Sequence, residues 1–454
     1  MTRHVQTLVV GGGVSGLVCA HALQKADVEV LLIEASARPG GVIHSARRDG
    51  YLLELGPQSF SGTAQLRSLC AELGIADQLL AAPPRAPRYV LLNGTLQAVP
   101  LSPPAFFSSS LINGSTKWAL VRDIVGRSAP PESDESVAAF VRRKFSDQLL
   151  ERLVGPFVSG VYAGDPEKLS IRSAFPQAYE AEKATGSIVR GMMRLAKRKK
   201  GPRERAALNT FREGNETLTR TLANKLGTRV LTKTGAANLY RQNDRSFHIS
   251  LEGNSNDSVS AKHVIFATPT DVTGKLLAQI DPSFEPLLST VEYAAVAVVS
   301  LGYAKKDVGH SLEGFGFLVP RSAGLRILGT VWNSSLFPDR PPEGHVLLTS
   351  FVGGATDPHA AKLSSEELSG LVHREIAPPL AIHSDPTFCN VTIWPRALPQ
   401  YNLGHGGRLA SIHKNLARFP GLFLTGNYLS GPAIGACVEQ ALRVAEQVKS
   451  QTAL

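Results

Sequence analysis

The chain has 454 residues, of which 43% are hydrophobic, so it is long enough for roughly two or three domains with their own cores. Its formal net charge of +10 indicates an anionic partner, which is a membrane surface, a nucleic acid or an acidic substrate. The sequence has no nucleic-acid-binding motif, which argues against nucleic acid. The longest apolar stretch, residues 293–301, is far shorter than the roughly 18 residues of a membrane-spanning helix, so we expect peripheral attachment at most.

A dinucleotide-binding fingerprint opens the chain. Residues 7–10 are typical of a buried strand, and Gly11, Gly13 and Gly16 follow at the three positions of G-x-G-x-x-G. Gly11 permits a tight turn, Gly13 lets the backbone approach a pyrophosphate, and the next helix presents free N–H groups to it. Glu34 ends the next predicted strand, where its carboxylate can take ribose hydroxyls. The pattern predicts a Rossmann-like βαβ unit.

The start of the chain and its cysteines bear on the compartment. Because the first strand begins so close to Met1, we expect no cleavable signal peptide and a cytoplasmic protein. The four cysteines lack C-x-x-C spacing, which favours buried structural thiols over a redox role. No metal site is predicted.

The glycine pair at Gly40 and Gly41, just after Glu34, narrows the choice of cofactor. It resembles the start of the flavoproteins that hold FAD in an extended form, the glutathione reductase and amine oxidase type. No second G-x-G-x-x-G follows, so we expect no separate NADPH site.

Further elements are predicted along the chain from hydrophobic periodicity and turn residues. Residues 63–73 form an amphipathic helix, and residues 88–99 form a hairpin around an Asn-Gly turn. Residues 104–205 are mostly helical, with a break at residues 155–166. Later strands are predicted at residues 228–231, 247–251, 261–269 and 421–424, with a last helix from Ile434.

The predicted fold class is α/β with three domains. The Rossmann-like FAD-binding domain is discontinuous and comprises residues 1–87, 206–270 and 401–454. An α+β substrate domain comprises residues 88–103 and 271–400, and a mostly helical domain is inserted at residues 104–205.

A basic cluster near the end of the helical region has two interpretations. Its members are Arg194, Lys197, Arg198, Lys199, Lys200, Arg203 and Arg205. One interpretation is a solvated loop where the chain returns to the first domain. The other is contact with anionic lipid head groups at the inner face of the cell membrane.

Four segments together resemble one family. They are residues 53–60, residues 157–166 with 169–172, residues 394–405, and residues 426–437. These segments are similar to oxygen-dependent protoporphyrinogen oxidases, and Val-Tyr-Ala-Gly-Asp-Pro and Pro-Gln-Tyr-x-x-Gly-His are the most specific motifs.

The resemblance implies an enzyme of tetrapyrrole biosynthesis with non-covalent FAD. It would oxidise protoporphyrinogen IX to protoporphyrin IX in three two-electron steps, each a hydride transfer to flavin N5, with O2 as acceptor and H2O2 as product. Because the flavin carries this chemistry, no catalytic side chain is expected. The implied partners are the porphyrinogen and oxygen. An anionic membrane surface is expected from the net charge, the basic cluster at residues 194–205 and the apolar run at residues 103–107. A homodimer is left open.

The resemblance also implies which residues line the FAD. They are Gly11, Gly12, Gly13, Val14, Ser15, Gly16, Glu34, Ala35, Arg38, Gly41, Gly56, Pro57, Gln58, Ser59, Ala236, Trp394, Gly426, Asn427, Pro432, Ala433 and Ile434.

For the substrate, the resemblance implies that Arg88 pairs with a propionate, which a guanidinium can hold through two parallel hydrogen bonds. It implies that the backbone of Gly160 faces the reacting ring, and that Leu318, Leu336 and Phe351 form apolar walls. The alternatives are a surface arginine at the start of a strand and three ordinary core residues.

Two departures from the family pattern and three other functions are kept open. Gln58 stands where plant relatives have asparagine, and Ala436 replaces an acidic residue before Cys437. The alternative functions are oxidation of coproporphyrinogen III to coproporphyrin III by the same family, a flavin amine oxidase, and a flavin-binding protein without turnover.

Overall fold

Two seven-stranded sheets and a helical region make up the fold. The structure is a computed structural model that describes residues 2–198, 207–252 and 257–452. The strands are β1 Thr2–Val10, β2 Val30–Ile33, β3 Ser45–Arg48, β4 Tyr51–Glu54, β5 Phe60–Ser61, β6 Leu79–Ala81, β7 Arg88–Leu92, β8 Thr95–Ala98, β9 Leu208–Phe211, β10 Val230–Leu231, β11 Ala236–Arg241, β12 Phe247–Leu251, β13 Ser258–Phe266, β14 Tyr293–Ala304, β15 Gly316–Leu318, β16 Ile327–Trp332, β17 His345–Gly353, β18 Phe388–Pro399 and β19 Leu422–Leu424.

Of the eighteen α-helices in the described residues, eight belong to the segment between β8 and β9. The eighteen are α1 Val14–Lys25, α2 Ala64–Leu73, α3 Pro103–Ser108, α4 Gly114–Val125, α5 Val137–Lys144, α6 Asp147–Leu149, α7 Gly155–Tyr162, α8 Ile171–Ala174, α9 Pro176–Thr185, α10 Ile188–Arg198, α11 Glu216–Leu226, α12 Thr270–Leu277, α13 Phe284–Ser289, α14 Asn333–Leu336, α15 Ser365–Leu380, α16 His405–Leu416, α17 Asn427–Ser430 and α18 Ile434–Thr452.

The first sheet is a doubly wound sheet and confirms the predicted Rossmann-like class. Its order is β10-β2-β1-β13-β12-β11, and β19 pairs with β13. Strands β10, β2, β1, β13 and β19 run parallel, whereas β12 and β11 are antiparallel additions. Helices α1 and α18 cover one face, and α12, α13 and α16 cover the other. Because both faces are covered, β2 is wholly apolar and the carboxyl ends of β1 and β13, residues 8–10 and 264–266, are apolar and buried.

The second sheet is mainly antiparallel, in the order β18-β14-β17-β16-β15-β7-β8. The predicted hairpin is confirmed as β7 and β8, with Leu92 opposite Thr95, and β7 joins the sheet parallel to β15. Helix α15 buries Leu368, Val372 and Ile376 against one face. The other face is the one that meets α7.

The helical region between β8 and β9 is confirmed, but the break predicted at residues 155–166 is wrong for its first half. A π-helical turn, Leu150–Val154, continues directly into α7. Pro156 is tolerated because it stands in the first turn of α7, where the missing N–H costs little. Gly160 therefore lies within a helix instead of a loop.

A buried ionic network joins the helices of this region. Lys144 Nζ lies 2.7 Å from a carboxylate oxygen of Asp123, and both side chains are buried. Asp123 also accepts from the backbone N–H of Val189 at 3.1 Å, which fixes the start of α10 against α4.

The basic cluster is described only in part. Arg194 and Lys197 are exposed on α10, whereas residues 199–206, which include the other predicted lysines and arginines after Arg198, lie outside the described residues. Within the described ranges, we find no helix with the length and apolar character needed to cross a bilayer.

Candidate active site

The carboxyl ends of four parallel strands meet at one edge of the first sheet. Gly11 N, just after β1, donates to Ile33 O of β2 at 2.8 Å. Ala267 N, just after β13, donates to Val10 O at 2.8 Å, and Thr425 N, just after β19, donates to Phe266 O at 2.9 Å. The first and last predicted cofactor segments, about 400 residues apart in sequence, therefore lie at the same edge of the sheet, on either side of β13.

The glycines of the fingerprint have distinct roles at this edge. A Cβ on Gly16 would lie 2.0 Å from Gly11 O, so only glycine allows helix α1 to approach the turn. A Cβ on Gly13 would meet nothing within 4 Å, so open space lies beside it. Gly13 precedes α1 without a side-chain cap. The N-terminal N–H groups of α1 are thus available to an anionic group.

The Glu34 carboxylate is held in place by the backbone on both sides. One oxygen accepts from Gly12 N at 2.6 Å, and the other accepts from Ser36 N at 2.8 Å. Thr234 N donates to Glu34 O at 2.8 Å, which brings Ala236 to the same corner. Glu34 and Ala236, both predicted to line the FAD, therefore lie near each other.

The loop after Glu34 closes over the glycine turn. Gly40 N donates to Gly12 O at 2.8 Å, and a Cβ on Gly41 would lie 3.4 Å from Gly13 Cα. Arg38 Nη2 donates to Gly41 O at 2.7 Å. The Arg38 side chain thus stabilises the shape of this loop.

The loop at residues 54–59 and Trp394 meet between the two sheets. Trp394 Nε1 donates to Leu55 O at 2.6 Å. A Cβ on Gly56 would lie 1.9 Å from Val42 O, so glycine is required for the close approach of these two segments. Gln58 is buried, and Pro57 and Ser59 are half-buried.

The segment after β19, residues 426–434, is supported by two stacked rings. The Tyr401 and His405 rings lie 4.4 Å apart at an interplanar angle of 8°. Tyr401 Oη donates to Asn427 O at 2.5 Å, and His405 Nε2, 2.9 Å from Tyr428 O, must carry the proton because a carbonyl only accepts. Burial lowers the pKa of His405 to about 4, so its imidazole is neutral at ordinary pH.

The face of the second sheet that meets α7 carries two of the predicted substrate residues. Leu318, Gly329 and Phe351 lie opposite one another in β15, β16 and β17. Residues in one such row project to the same face, and the Leu318 side chain leans over Gly329, where a Cβ would lie 3.1 Å from Leu318 Cδ2. Gly160 of α7 covers this row, because a Cβ there would lie 2.4 Å from Leu318 Cδ2.

The other two predicted substrate residues lie outside this row. Arg88 is exposed at the start of β7, opposite Gly316, with its guanidinium carbon 5.5 Å from the Phe315 ring centre. Leu336 is buried with Ala82 and Phe337 in a separate small cluster. The structure thus brings together Gly160, Leu318 and Phe351, and leaves Leu336 in a different apolar environment.

Comparison with known proteins identifies the family. The model of flavin-containing amine oxidoreductases matches residues 14–449. A chloroplastic protoporphyrinogen oxidase from Oryza sativa subsp. japonica is 37% identical over 97% of this chain and 87% of its own length. A coproporphyrinogen III oxidase from Bacillus subtilis is 30% identical over 96% of both chains. The chain belongs to the flavin-containing amine oxidoreductase family.

The fold comparison agrees with this assignment. A crystal structure from Exiguobacterium sp. 255-15, provisionally assigned as a protoporphyrinogen oxidase, superposes with a TM-score of 0.82 over 99% of both chains at 24% identity. The resemblance predicted from four segments is confirmed, and this flavin-containing amine oxidoreductase is a flavin-dependent enzyme whose curated relatives include porphyrinogen oxidases.

Sequence reasoning missed two amides and one ion pair that support this flavoenzyme's loop at residues 54–59. Asn215 and Asn333 bind the loop from opposite sides. Arg340 Nη1 lies 3.6 Å from Glu54 Oε1, and both side chains are buried. Burial raises the pKa of Glu54 to about 7, against the opposing effect of Arg340. No local sequence signal marks Asn333 or Arg340, whereas Asn215 directly precedes helix α11.

Ala436, the second departure from the family pattern, lies in the first turn of α18. A Cβ added to Gly431 would be 3.0 Å from Ala436 Cβ, so the turn before α18 packs directly on this alanine. An alanine offers no hydrogen bond at this position.

Proposed function

We propose that this flavoenzyme oxidises protoporphyrinogen IX to protoporphyrin IX with FAD, in three two-electron steps, with O2 as acceptor and H2O2 as product. The observation that carries the proposal is the apolar row of Leu318, Gly329 and Phe351 beneath Gly160. A flat macrocycle needs an apolar surface, and glycine at positions 160 and 329 lets α7 and β16 pack closely around Leu318, which forms part of that surface.

FAD is proposed because the fingerprint edge suits a dinucleotide. The uncapped start of α1 and the open space at Gly13 fit a pyrophosphate, and the oriented Glu34 carboxylate fits a ribose. When bound, the flavin supplies the two-electron chemistry. The protein's own groups bind, orient and exclude water, and no side chain is assigned a proton-transfer role.

We propose that the flavin is attached non-covalently, because the thiol of Cys437, close to the predicted cofactor segment at residues 426–434, is not reactive. A thiolate is the nucleophile in a cysteinyl-flavin link. Cys437, in the first turn of α18, is buried, and burial raises the pKa of its thiol to about 11. We therefore expect acid precipitation to release all of the flavin into the supernatant.

Arg88 is proposed as the propionate-binding group. It is exposed at the start of β7, opposite Gly316 of β15, and Leu318 lies two residues further along β15. A guanidinium in this position can pair with a carboxylate at the mouth of the apolar face.

Coproporphyrinogen III, which has four propionates, is the alternative substrate, and the Bacillus subtilis relative favours it. The test is a paired assay in which the purified protein receives each porphyrinogen and porphyrin fluorescence is followed. A higher kcat/KM for protoporphyrinogen IX supports the first proposal, and faster formation of coproporphyrin III contradicts it.

The same proposal includes the three-domain division predicted above, a cytoplasmic location and contact of the helical domain with an anionic membrane surface. Helix α4 exposes Trp118, Arg122 and Val125, which lie on one face because they are spaced by four and three residues. The neighbouring α10 exposes Met193 and Arg194. Apolar and basic side chains on adjacent helices suit the interface of an anionic bilayer.

Co-sedimentation with vesicles tests the membrane contact. We expect binding to vesicles that contain phosphatidylglycerol, weaker binding at high salt, and a further loss in the variant Trp118→Ser. Absence of binding at low salt contradicts this part of the proposal and leaves the porphyrinogen assay unaffected.

A further inference from the structure

The side chain of Gln58 is fully engaged within the protein. It is 8% exposed. Its Nε2 donates to the carbonyls of Glu54, at 2.8 Å, and Gly56, at 3.0 Å. Its Oε1 accepts from Asn333 Nδ2 at 2.8 Å. Because both the donor and the acceptor of this amide are in use, Gln58 acts on the loop backbone and on Asn333.

The carbonyls of Leu55 and Pro57 also accept hydrogen bonds from side chains. Trp394 Nε1 donates to Leu55 O at 2.6 Å, and Asn215 Nδ2 donates to Pro57 O at 2.7 Å. Four consecutive carbonyls, those of residues 54–57, therefore accept from three side chains in different parts of the chain, namely Gln58 itself, Asn215 and Trp394. Because its carbonyls are satisfied in this way, the irregular loop is held in one conformation before a ligand binds.

Two of these supports come from the second sheet. Trp394 lies in β18, and Asn333 directly follows β16. Seven residues after Asn333, Arg340 O accepts from Leu52 N at 2.8 Å, and the Arg340 guanidinium lies beside Glu54. The connection between β16 and β17 thus holds the beginning and the end of the loop at residues 54–59.

We propose that Gln58, Asn215 and Asn333 are positioning residues that fix the loop at residues 54–59 against the flavin and hold it in register with the substrate face. This assignment rests on the proposed function for the flavin side of the loop. It explains why Gln58 does not need to contact substrate. Asn333 connects the loop to β16, the strand that carries Gly329.

The experiment compares Gln58→Met, Asn333→Leu and the double variant. Each single change removes the amide contact while preserving approximate side-chain volume. Each single variant is expected to raise the Kd for FAD about tenfold and to shift the visible absorption bands of the bound flavin. The double variant is expected to have a Kd for FAD no higher than that of the single variant that binds FAD more weakly, because both changes break the same contact.

The matched control is Asn390→Leu. Asn390 is also a buried amide that joins the two halves of the molecule, since its Oδ1 accepts from Arg48 Nη1. Asn390 lies in β18, four residues before Trp394 and away from the loop. The control is expected to lower the free energy of unfolding of the apoprotein in urea and to leave the flavin spectrum unchanged.

The proposal is overturned if Gln58→Met and Asn333→Leu lose only stability, with unchanged FAD affinity and spectrum, or if their effects on FAD affinity add fully. Should Gln58→Met fail to fold, Asn333→Leu alone tests the same contact from the other side. Failure of the proposed function is recognised separately, because the wild-type protein would then bind FAD and oxidise neither porphyrinogen, while the FAD affinities and spectra remain measurable.

Discussion

The carboxyl edge of the first sheet and the α7-covered face of the second sheet are built in different ways. At the first, glycines adjacent in sequence form one turn, and Glu34 is oriented by the backbone of Gly12. At the second, Gly160, Leu318 and Phe351 come from three distant segments and meet only through sheet register and helix packing. An edge of the first kind leaves a contiguous motif in the sequence, whereas a face of the second kind leaves isolated apolar residues.

The strongest way to break the first region without disturbing the second is Gly13→Val. Gly13 has a φ of −68° that any residue can adopt, and the protein offers no clash there. The new side chain would occupy the open space that a pyrophosphate needs, so we expect the Kd for FAD to rise more than about 100-fold, measured by flavin fluorescence. Gly407→Val, at another open position on α16, is the control. Normal flavin content in Gly13→Val would contradict the site.

The second prediction tests whether the carboxyl edge of the first sheet also depends on His405, which is far from the glycine motif in sequence. In the folded protein, burial lowers the pKa of His405 from 6.5 to about 4. The free energy of unfolding is therefore highest above pH 6.5, where His405 is neutral in both states, and decreases as the pH falls toward 4. Arg408 opposes protonation and Asp134 favours it. The loss is about 3 kcal/mol of unfolding free energy.

Urea unfolding at several pH values measures this effect as the difference between wild type and His405→Gln. Glu54, whose pKa is raised, titrates in both proteins, so the difference isolates His405. His413→Gln, an exposed histidine of the same helix, is the control. Equal acid sensitivity of wild type and His405→Gln would show that His405 is not the buried neutral group described.

Gly160→Val probes the second region. A Cβ at this position meets Leu318 Cδ2 and would reduce the space between α7 and the sheet. We expect KM for the porphyrinogen to rise about 30-fold with FAD still bound, which corresponds to about 2 kcal/mol. Phe157→Val, an exposed change on the same helix, should retain wild-type KM. Loss of flavin in Gly160→Val would mean that the two regions are not separable.

Arg88→Ala is expected to have the smallest effect, because the side chain is exposed. Removal of a propionate partner should raise KM about tenfold and leave FAD bound, whereas Arg88→Lys should recover part of the affinity. The variant Arg85→Ala, at an exposed arginine just before the strand, is the comparison. Identical KM values for Arg88→Ala and wild type would leave Arg88 as a surface residue.

This contrast explains what could be predicted from sequence. The βαβ unit, the hairpin of β7 and β8 and the strand before Gly426 could be predicted because each is encoded by neighbouring residues. The helix across Pro156 was missed because tertiary packing extends a π-helical turn through a residue that usually signals a break. The contacts of Asn333 could not be predicted, because they depend on the placement of one sheet against the other.

The predicted lining residues divide in the same way. Glu34 and Gly13 have the geometry that their motif suggests, and their contact with FAD stays a prediction. The contact of Gln58 with FAD also stays a prediction, and its side chain binds the loop backbone and Asn333, which no spacing in the sequence reveals. Leu336 shows the limit of assigning apolar residues by segment, since its neighbours form a separate cluster.

The pairing of β1 with β13 affects how the chain is synthesised. Thr2 lies opposite Ser258, so one edge of the first strand gains its partner only after more than half of the chain has been made. At ribosomal rates this interval is on the order of tens of seconds. During that time β1, whose residues 8–10 are apolar, has an open edge that can pair with another nascent chain. We therefore expect slower translation to lower the soluble yield unless a chaperone covers that edge.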